Sequence, residues 1–538
     1  MTMSHGFGRL VSPVILVGAF LLASCSTSPS SPPTSGKSTT PTGPYGSLTL
    51  VTNFGNGHVD PFRDNIVGWD SIGSAVIDNL VYRDFETYEV KPKIAERWEI
   101  SPDGKTHTFY IRKGVKFHDG SDLTGADVKF SIERMARATL QPDAINWQNA
   151  IAKVELKDDF TVAVQLKTPQ FELIKGYDSA ITAVLPKKYI EEKGDDYFAK
   201  NPVGSGPWKV VKFEPGVRLE LEAVEGHWRA TPQFKNLTIL SIPEESTKVA
   251  MLKTGELDMA AISPDSVSGL ESAGFRIVSY WSGGGYYGYP LYDIENPQKY
   301  AYADVRVRKA MQLAINSKEL ADKLFRGRAE SVSVALEFVS SDSKANAYDS
   351  TLLKPDPYDP EAAKKLLAEA GYSNGFDTKM IDVGGGDPRS ILSIAVAGYW
   401  RKIGINGEIT PVDYGVFLPA MRARSPETWN GFYLFSAAGG KSWAQMIPRY
   451  HSTKSNSKNV KNPRLDWLLD NIPTTRDAAE KQQFELEAAK LAKNEYSCIA
   501  VLGMHNILAL GNKVGDVAKQ RFVREISGTM LETIRHAK

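Results

Sequence analysis

Hydrophobic and polar positions alternate with two different periods along this chain, which predicts both strands and helices. The segment from Leu48 to Phe54 is predicted to be a strand. Lys105 to Phe117 is predicted to be a hairpin, because its apolar and polar residues largely alternate around the turn at Arg112, Lys113 and Gly114. The strand and helix signals interleave without a fixed repeat, which favours an α/β multidomain protein over a solenoid or a barrel.

Capping residues mark the starts of three predicted helices. Thr124 and Asp127 form a capping-box pattern ahead of one periodic segment. Asp359 and Pro360 begin a second helix, which is predicted to end at Gly371. A third helix begins after Asp304. Its buried side is predicted to carry Val305, Ala310, Leu313 and Ala314.

Residues 1–24 have the pattern of a signal peptide, in which Arg9 precedes an apolar run from Val14 to Leu22. The run is shorter than the ~20 apolar residues that a membrane-spanning helix needs. Its end, Leu-Ala-Ser-Cys, resembles the lipobox of bacterial lipoproteins, which implies cleavage before Cys25 and acylation of its thiol. Residues 26–46 are Ser, Thr, Pro or Gly except for Lys37 and Tyr45, so 25–46 are predicted to be a lipidated cysteine and a flexible tether.

Charge and cysteine content narrow the class of protein. Lys and Arg number 64 against 63 Asp and Glu, and the formal net charge of +1 argues against a nucleic-acid partner. Only Cys498 lies in the mature globular part, where it is predicted to be a core residue, so no intramolecular disulfide is expected there. About 490 residues follow the tether, which predicts two or three lobes rather than one core.

No motif for catalysis, a metal or a cofactor is found in the sequence. Gly440-Lys441-Ser442 lacks the glycine that a P-loop needs five residues earlier, where Phe435 stands. The string Gly283 to Gly288 fits G-x-G-x-x-G, but a strand-like aromatic run follows it where a dinucleotide site needs a helix. The histidines show no spacing suited to zinc. The chain is therefore predicted not to be an enzyme and to hold no metal or cofactor; an exported enzyme of unrecognised chemistry and a chaperone-like surface protein remain as alternatives.

An ordered series of motifs resembles the peptide/nickel class of extracellular solute-binding proteins, often called family 5. The resemblance covers Leu48 to about Asp516. The motifs that carry it include Ile94 to Gly104, Thr108 to Gly120, Val203 to Val210, Asp304 to Ala310 and Lys402 to Asn406.

This resemblance implies an α/β, type II periplasmic-binding-protein-like fold, with two lobes around a ligand cleft and an additional inserted domain. By motif order, domain I comprises 47–80, 201–297 and 505–538, domain II is the insertion 81–200, and domain III is 298–504. It also implies an exported, monomeric, membrane-anchored substrate-binding lipoprotein of an ABC importer, which captures a peptide or peptide-like solute and delivers it to permease subunits.

Three segments are expected to form the cleft by their place in the family pattern. They are the loop after the first strand, the aromatic segment from Trp281 to Tyr289, and the small-residue loop after the strand that ends at Leu434. Half of the aromatic segment must pack in the core, because alternate side chains of a strand point to opposite faces. The expected ligand-binding residues are Asn53, Phe54, Trp69, Trp281, Tyr287, Phe435, Ser436, Ala437, Lys441 and Trp443.

The third segment departs from the family pattern. Peptide-binding relatives carry an acidic residue there that pairs with the free amino group of the ligand, but no Asp or Glu lies between Phe435 and Pro448. Asp413 or another acid could supply that charge, and Lys441 would favour an anion. A receptor for an oligosaccharide, an opine or a metal chelate is therefore the alternative within the binding class.

Overall fold

The computed structural model describes residues 43–52, 59–62, 73, 75–83, 89–137, 149–171, 182–335, 351–383, 388–413, 416–417, 430–437, 446–447, 450–454, 461–515, 517 and 531–537. The predicted signal peptide, Cys25 and most of the tether lie outside these residues. No helix among the described residues is long and apolar enough to cross a membrane.

Most strands belong to one large sheet. They are β1 (Ser47–Val51), β8 (Trp208–Glu214), β9 (Arg218–Ala223), β10 (Asn236–Leu240), β11 (Met259–Ala261), β12 (Arg276–Leu291), β13 (Ala329–Glu330), β14 (Phe376–Asp382), β15 (Ile405–Pro411), β16 (Gly431–Ala437) and β17 (Ile499–Leu510). The order is β15-β14-β16-β12-β17-β11-β1-β10-β9-β8, and β13 pairs with β17. The predicted first strand is confirmed by β1 from Leu48 to Val51, and Thr52 already lies beyond the strand.

The long antiparallel strands β12 and β17 run through both halves of this sheet, and we call them the crossing strands. At one end β17 pairs with β11, which leads into β1, β10, β9 and β8. We call this half the first lobe. At the other end β12 pairs with β16, which leads into β14 and β15, and this half is the second lobe.

A separate four-stranded sheet lies between β1 and β8 in the sequence. It comprises β4 (Ala95–Ile100), β5 (Thr106–Ile111), β6 (Ile151–Asp158) and β7 (Thr161–Leu166) in the order β4-β5-β7-β6. With the helix Gly125–Met135 it forms the small-sheet domain. Two short strands, β2 (Val81–Arg83) and β3 (Val90–Pro92), pair with each other beside it.

The hairpin predicted for residues 105–117 is wrong in its second half. β5 pairs with β4 and β7 instead. Val115 and Phe117 are buried, but their backbones bond locally: Phe117 N donates to Ser121 O, and Leu123 N donates to Val115 O, both at 2.9 Å. Their side chains therefore anchor a tight loop around Gly120 rather than a strand.

The described helices are α1 (Gly125–Met135), α2 (Lys187–Lys193), α3 (Asp195–Lys200), α4 (Glu245–Thr254), α5 (Val267–Glu271), α6 (Val305–Leu313), α7 (Ser317–Phe325), α8 (Pro360–Glu369), α9 (Arg389–Arg401), α10 (Pro463–Asn471) and α11 (Ala478–Asn494). The predicted caps are confirmed: Thr124 and Asp127 form the capping box of α1, and Asp304 and Asp359 cap α6 and α8. Val305 is 38% exposed, so its predicted burial is wrong: it is the first residue of α6, where the helix is still entering the core.

The buried side chains form separate cores. One core joins the first lobe to the small-sheet domain and includes Trp208 and Phe109. Two others lie in the second lobe, where one includes Trp400 and the other includes Cys498. The predicted core position of Cys498 and the predicted α/β class are confirmed.

Buried ion pairs fasten the small-sheet domain to the first lobe. Asp78 binds Lys93 Nζ at 3.1 Å and Arg229 Nε at 2.8 Å, and Arg229 also pairs with Glu532 near the C-terminus. In a second group, Arg134 of α1 donates to Asp60 Oδ1 at 2.9 Å; the carboxylate of Asp60 is fully buried. Because removing one partner of a buried pair leaves an uncompensated charge, these junctions resist opening.

Candidate functional site

The carboxyl end of each parallel strand in the first lobe points towards the middle of the crossing strands. β1 runs parallel to β10 and to β11. After β11 the chain continues along β17, where Ile262 N donates to Ile507 O at 3.0 Å. The edge that these strands share ends at Thr52, Ser241 and Ser263, close to the centre of β17.

The second lobe presents its carboxyl edge from the opposite side. β14 runs parallel to β15 and β16, and β16 is antiparallel to β12. The pairs run from Leu291 with Gly431 to Gly285 with Ala437, so β16 ends at the centre of β12. The carboxyl edges of the two lobes therefore face each other across the middle of the crossing strands. Ligands of open α/β sheets bind outside such edges, so the space between them is the candidate cleft.

The middle of the crossing strands differs from their ends in geometry and in burial. Between Trp281 and Gly285, β12 advances four residues while its partners on β17 change only from His505 to Gly503, which marks a bulge. The glycines at 283–285 suit such a bulge because they have no Cβ to restrict φ and ψ. β17 is buried along its length except at residues 504–506, which are partly exposed.

Polar groups gather at this point. His505 Nε2 lies 3.5 Å from Glu330 Oε1, and its Nδ1 lies 3.4 Å from Ser279 Oγ. Burial raises the pKa of the neighbouring Tyr280, which keeps its hydroxyl protonated. His505 is not among the residues predicted from the sequence, although the pair His505-Asn506 interrupts an otherwise apolar strand and so marks this position.

The first-lobe edge carries a polar cluster at the start of α4. The Glu245 carboxylate accepts hydrogen bonds from Ser263 N at 2.7 Å and from Ser266 Oγ at 2.8 Å. Thr52, the last described residue after β1, is 3% exposed, and its N–H donates to Leu240 O at 3.1 Å. These contacts fix the strand ends that form this wall.

Four of the predicted ligand-binding residues have described backbones beside the cleft. Trp281 pairs with His505 in the crossing strands. Ser436 and Ala437 are the last residues of β16, where they pair with β12. Phe435 is half-buried, and its ring lies 6.3 Å from that of Tyr433.

Tyr287 lies away from the cleft surface. Its side chain is 1% exposed within a core on one face of the second-lobe sheet, and its neighbour Tyr286 is 7% exposed in the core on the other face. Both faces of β12 are thus covered at this point, so Tyr287 supports the wall rather than lining it. Asn53, Phe54, Trp69, Lys441 and Trp443 lie outside the described residues.

Two carboxylates lie at or just beyond the carboxyl ends of parallel strands in the second lobe. Asp382 is the last residue of β14, and its Oδ1 accepts a hydrogen bond from Ser390 Oγ at 2.8 Å. Asp413 comes two residues after β15, and its Oδ1 accepts from Val416 N at 3.2 Å. The bond from Val412 N to Asp382 O, at 2.8 Å, keeps the two segments side by side. Within the described part of the chain, no group of three or more His, Cys, Asp or Glu side chains is placed to hold a metal ion.

Sequence comparison gives a consistent family. Residues 89–459 match the family described as bacterial extracellular solute-binding proteins, family 5 Middle. The dipeptide-binding protein of Escherichia coli (strain K12) is 27% identical over 407 residues, which cover 68% of this chain and 72% of that protein. The glutathione-binding protein GsiB of Salmonella choleraesuis (strain SC-B67) is 27% identical over 450 residues, which cover 81% of this chain and 85% of that protein.

Comparison with solved structures gives the same fold. NikA from Brucella suis, in complex with Fe(III)-EDTA, superposes with a TM-score of 0.77 at 19% identity, covering 91% of this chain and all of that one (100%). The predicted fold is confirmed: α/β, type II periplasmic-binding-protein-like, with two lobes around a cleft and an additional inserted domain. The relatives named here are solute-binding proteins rather than enzymes. This chain belongs to family 5 of the bacterial extracellular solute-binding proteins.

Proposed function

We propose that this protein captures a peptide or peptide-like solute between its two lobes and delivers it to the permease of an ABC importer. The observation that carries the proposal is the facing of two carboxyl edges across the partly exposed middle of the crossing strands. A solute between these edges touches both lobes at once. It therefore binds the closed form more tightly than the open one, which is the condition for ligand-driven closure.

The hinge of this closure lies in the crossing strands. The bulge between Trp281 and Gly285 is the point where β12 departs from regular pairing, and it contains the run of three glycines. Backbone without a Cβ absorbs changes of φ and ψ at low cost. Closure then moves each lobe as a rigid body while its core stays packed.

The proposed domains keep the boundaries expected from the motif order. Domain I is 47–80, 201–297 and 505–538, domain II is 81–200, and domain III is 298–504. The core that contains β1 and β10 is separate from the two second-lobe cores, which supports the division between domains I and III. Residues from Tyr286 to Ile294 pack in the second-lobe cores although they precede the proposed boundary at 297. Domains I and II share one core, so the boundary between them rests on the motif order. The proposed ligand-binding set keeps the residues expected from the family pattern, without the buried Tyr287: Asn53, Phe54, Trp69, Trp281, Phe435, Ser436, Ala437, Lys441 and Trp443.

A peptide ligand carries an ammonium group, which needs a carboxylate partner when it is buried. Asp382 and Asp413 lie at the carboxyl edge of the second lobe, and we propose that one of them supplies that charge. They support the peptide hypothesis despite the lack of an acid between Phe435 and Pro448.

The second candidate is a receptor for a metal chelate, an opine or an oligosaccharide. It is favoured by that same acid-free loop, which contains Lys441 and would suit an anionic ligand. Isothermal calorimetry of ligand-stripped protein distinguishes the candidates with a panel of short peptides, their N-acetylated forms, opines, oligosaccharides and Fe(III) chelates. Peptide binding that is lost on N-acetylation supports the first candidate. Binding of an anionic chelate, opine or sugar without peptide binding overturns it in favour of the second.

We also propose that the receptor is monomeric and is anchored to the cell membrane through an acylated Cys25, facing the periplasm or the extracellular side. The support is the lipobox-like sequence before Cys25 and the Ser, Thr, Pro and Gly composition of the tether. Metabolic labelling with an alkyne fatty acid should mark the wild-type protein. Labelling that persists in Cys25→Ala would contradict acylation at this residue.

A further inference from the structure

The small-sheet domain touches the second lobe directly, outside the crossing strands. Phe171 N, five residues after β7, donates to Pro473 O at 3.0 Å. On the same side, Arg476 Nη1 donates to Pro102 O in the turn between β4 and β5, at 3.5 Å. None of these four residues belongs to the carboxyl edges that form the cleft.

On the small-sheet side of this contact, the segment before Phe171 is held in place by other residues of its own domain. Gln170 N donates to Gly104 O at 2.9 Å, and the buried His107 ring donates from Nε2 to Gln170 O at 2.7 Å. The Phe171 ring lies against Gly104, where a Cβ would come within 2.7 Å of its Cζ. The segment that carries the Phe171 N–H is therefore fixed on the small sheet.

On the second-lobe side of this contact, Pro473 and Arg476 are also held in place by their surroundings. Pro473 is buried in the 3-10 turn Ile472–Thr474, which joins α10 to α11. Thr475 N donates to Asn471 O at 2.9 Å and closes this turn. Arg476 follows directly, just before the Asp477 cap of α11.

The small-sheet domain must move with the first lobe when the cleft opens. The Asp78 and Arg134 ion-pair groups hold it there with side chains that are almost fully buried. The second lobe meets the small-sheet domain through the Phe171 and Arg476 hydrogen bonds. Opening of the cleft therefore requires these two bonds to break.

We propose that the Phe171–Pro473 and Arg476–Pro102 contacts form a latch that holds the two lobes closed without contacting the ligand. The inserted domain thereby acquires a role, because it reaches from the first lobe to the second and adjusts the balance between the open and closed forms. A latch of this kind sets the closed fraction of the empty receptor, and by the same free energy it slows release of any solute from the cleft. The inference depends on the two-lobed fold and not on the class of ligand.

The Phe171 amide reports the state of the latch directly, since its hydrogen exchanges with solvent only when the bond opens. The experiment uses the mature full-length protein, freed of copurified solute by unfolding and refolding, with isotope-labelled phenylalanine. Phe171→Leu assigns the signal among the 20 phenylalanines that remain of the 22 once residues 1–24, with Phe7 and Phe20, are removed. Arg476→Ala weakens the latch, and Arg464→Ala is the matched control because Arg464 bonds Glu487 within the second lobe.

Exchange at Phe171 in the empty wild-type protein is expected to be about tenfold or more slower than in an unstructured chain. Arg476→Ala should accelerate it severalfold, while Arg464→Ala leaves it unchanged. Unprotected exchange in the wild type, or equal protection in Arg476→Ala and the wild type, would overturn the latch. Neither result bears on solute capture, because no ligand is present in the experiment.

Discussion

Arg229 and Asp78 form a hydrogen-bonded ion pair of 2.8 Å with side chains that are 14% and 0% exposed. Burial by itself raises the pKa of Asp78, but Arg229, Lys93 and His227 outweigh it and hold that pKa below the ordinary value. The carboxylate is therefore charged at neutral pH. The pair ties the segment after β1 to the segment after β9, and Lys93 extends it into the small-sheet domain.

Arg229→Ala is expected to lower the free energy of unfolding by about 3–5 kcal/mol, because it leaves Asp78 and Glu532 buried with less compensating charge. Urea denaturation measures the change. The control is Arg97→Ala, since Arg97 pairs with Glu99 where both side chains are more than half exposed. That control should cost less than about 1 kcal/mol. Similar losses in the two variants would contradict the importance of the buried junction.

His107, which is buried, and His118 and His227, which are partly buried, predict a loss of stability in mild acid. Burial lowers the pKa values of His107, His118 and His227 below the ordinary 6.5. As the pH falls, these histidines are therefore protonated in the unfolded chain before they are protonated in the folded protein. Their contribution to the free energy of unfolding is complete above about pH 6.5 and is lost as the pH falls towards their pKa values in the folded protein. Each histidine contributes a slope of about 1.4 kcal/mol per pH unit in that window. Unfolding free energies that stay constant between pH 7 and 5 would exclude this linkage.

The loop Gly204-Ser205-Gly206 packs closely against the backbone of Ala75 and Val76. A Cβ on Gly206 would lie 2.3 Å from Ala75 O, and no flexible side chain is there to yield. Gly206→Ala should lower the free energy of unfolding by about 1–3 kcal/mol or more through overpacking. Gly269→Ala is the control, because Gly269 lies in α5 with nothing within 4 Å of its added Cβ. A thermal melt in which both variants behave alike would argue against the close approach.

Local signals predicted helix starts but not strand partners. Thr124, Asp304 and Asp359 cap helices because a side chain and an N–H two or three residues later settle the geometry. β5 pairs with β4 on one side and, on the other, with β7, which lies some 50 residues further along the chain. The alternation of apolar and polar residues within 105–117 does not indicate which strands will pair with β5.

The candidate site was predicted in part. The family resemblance led to Trp281, Phe435, Ser436 and Ala437, whose backbones lie beside the cleft. The alternation of side chains along a strand could not show that Tyr287 is a core residue and not a cleft residue, because both faces of β12 are packed at this position. His505 escaped notice because it meets Ser279 and Glu330 only through long-range strand pairing.

Trp443, which follows β16 in the sequence, is expected to contribute an aromatic contact to the ligand. Trp443→Ala should weaken binding by about 1 kcal/mol or more, as removal of a buried aromatic contact does. Trp467→Ala is the matched control, because Trp467 is 42% exposed on α10 and packs against Phe484. Calorimetry with the tightest ligand of the panel measures both. Unchanged affinity in a folded Trp443→Ala protein would remove Trp443 from the proposed site.

Native mass spectrometry of the gently purified protein tests solute capture most directly. A receptor that closes around a solute should carry a defined small molecule, seen as a discrete mass above the 59.2 kDa chain corrected for processing and acylation, and released on denaturation. The fragmentation spectrum of the released molecule then identifies the ligand class. We predict a peptide or peptide-like solute. A protein that is empty as purified and remains empty across the whole ligand panel would contradict solute capture in the cleft.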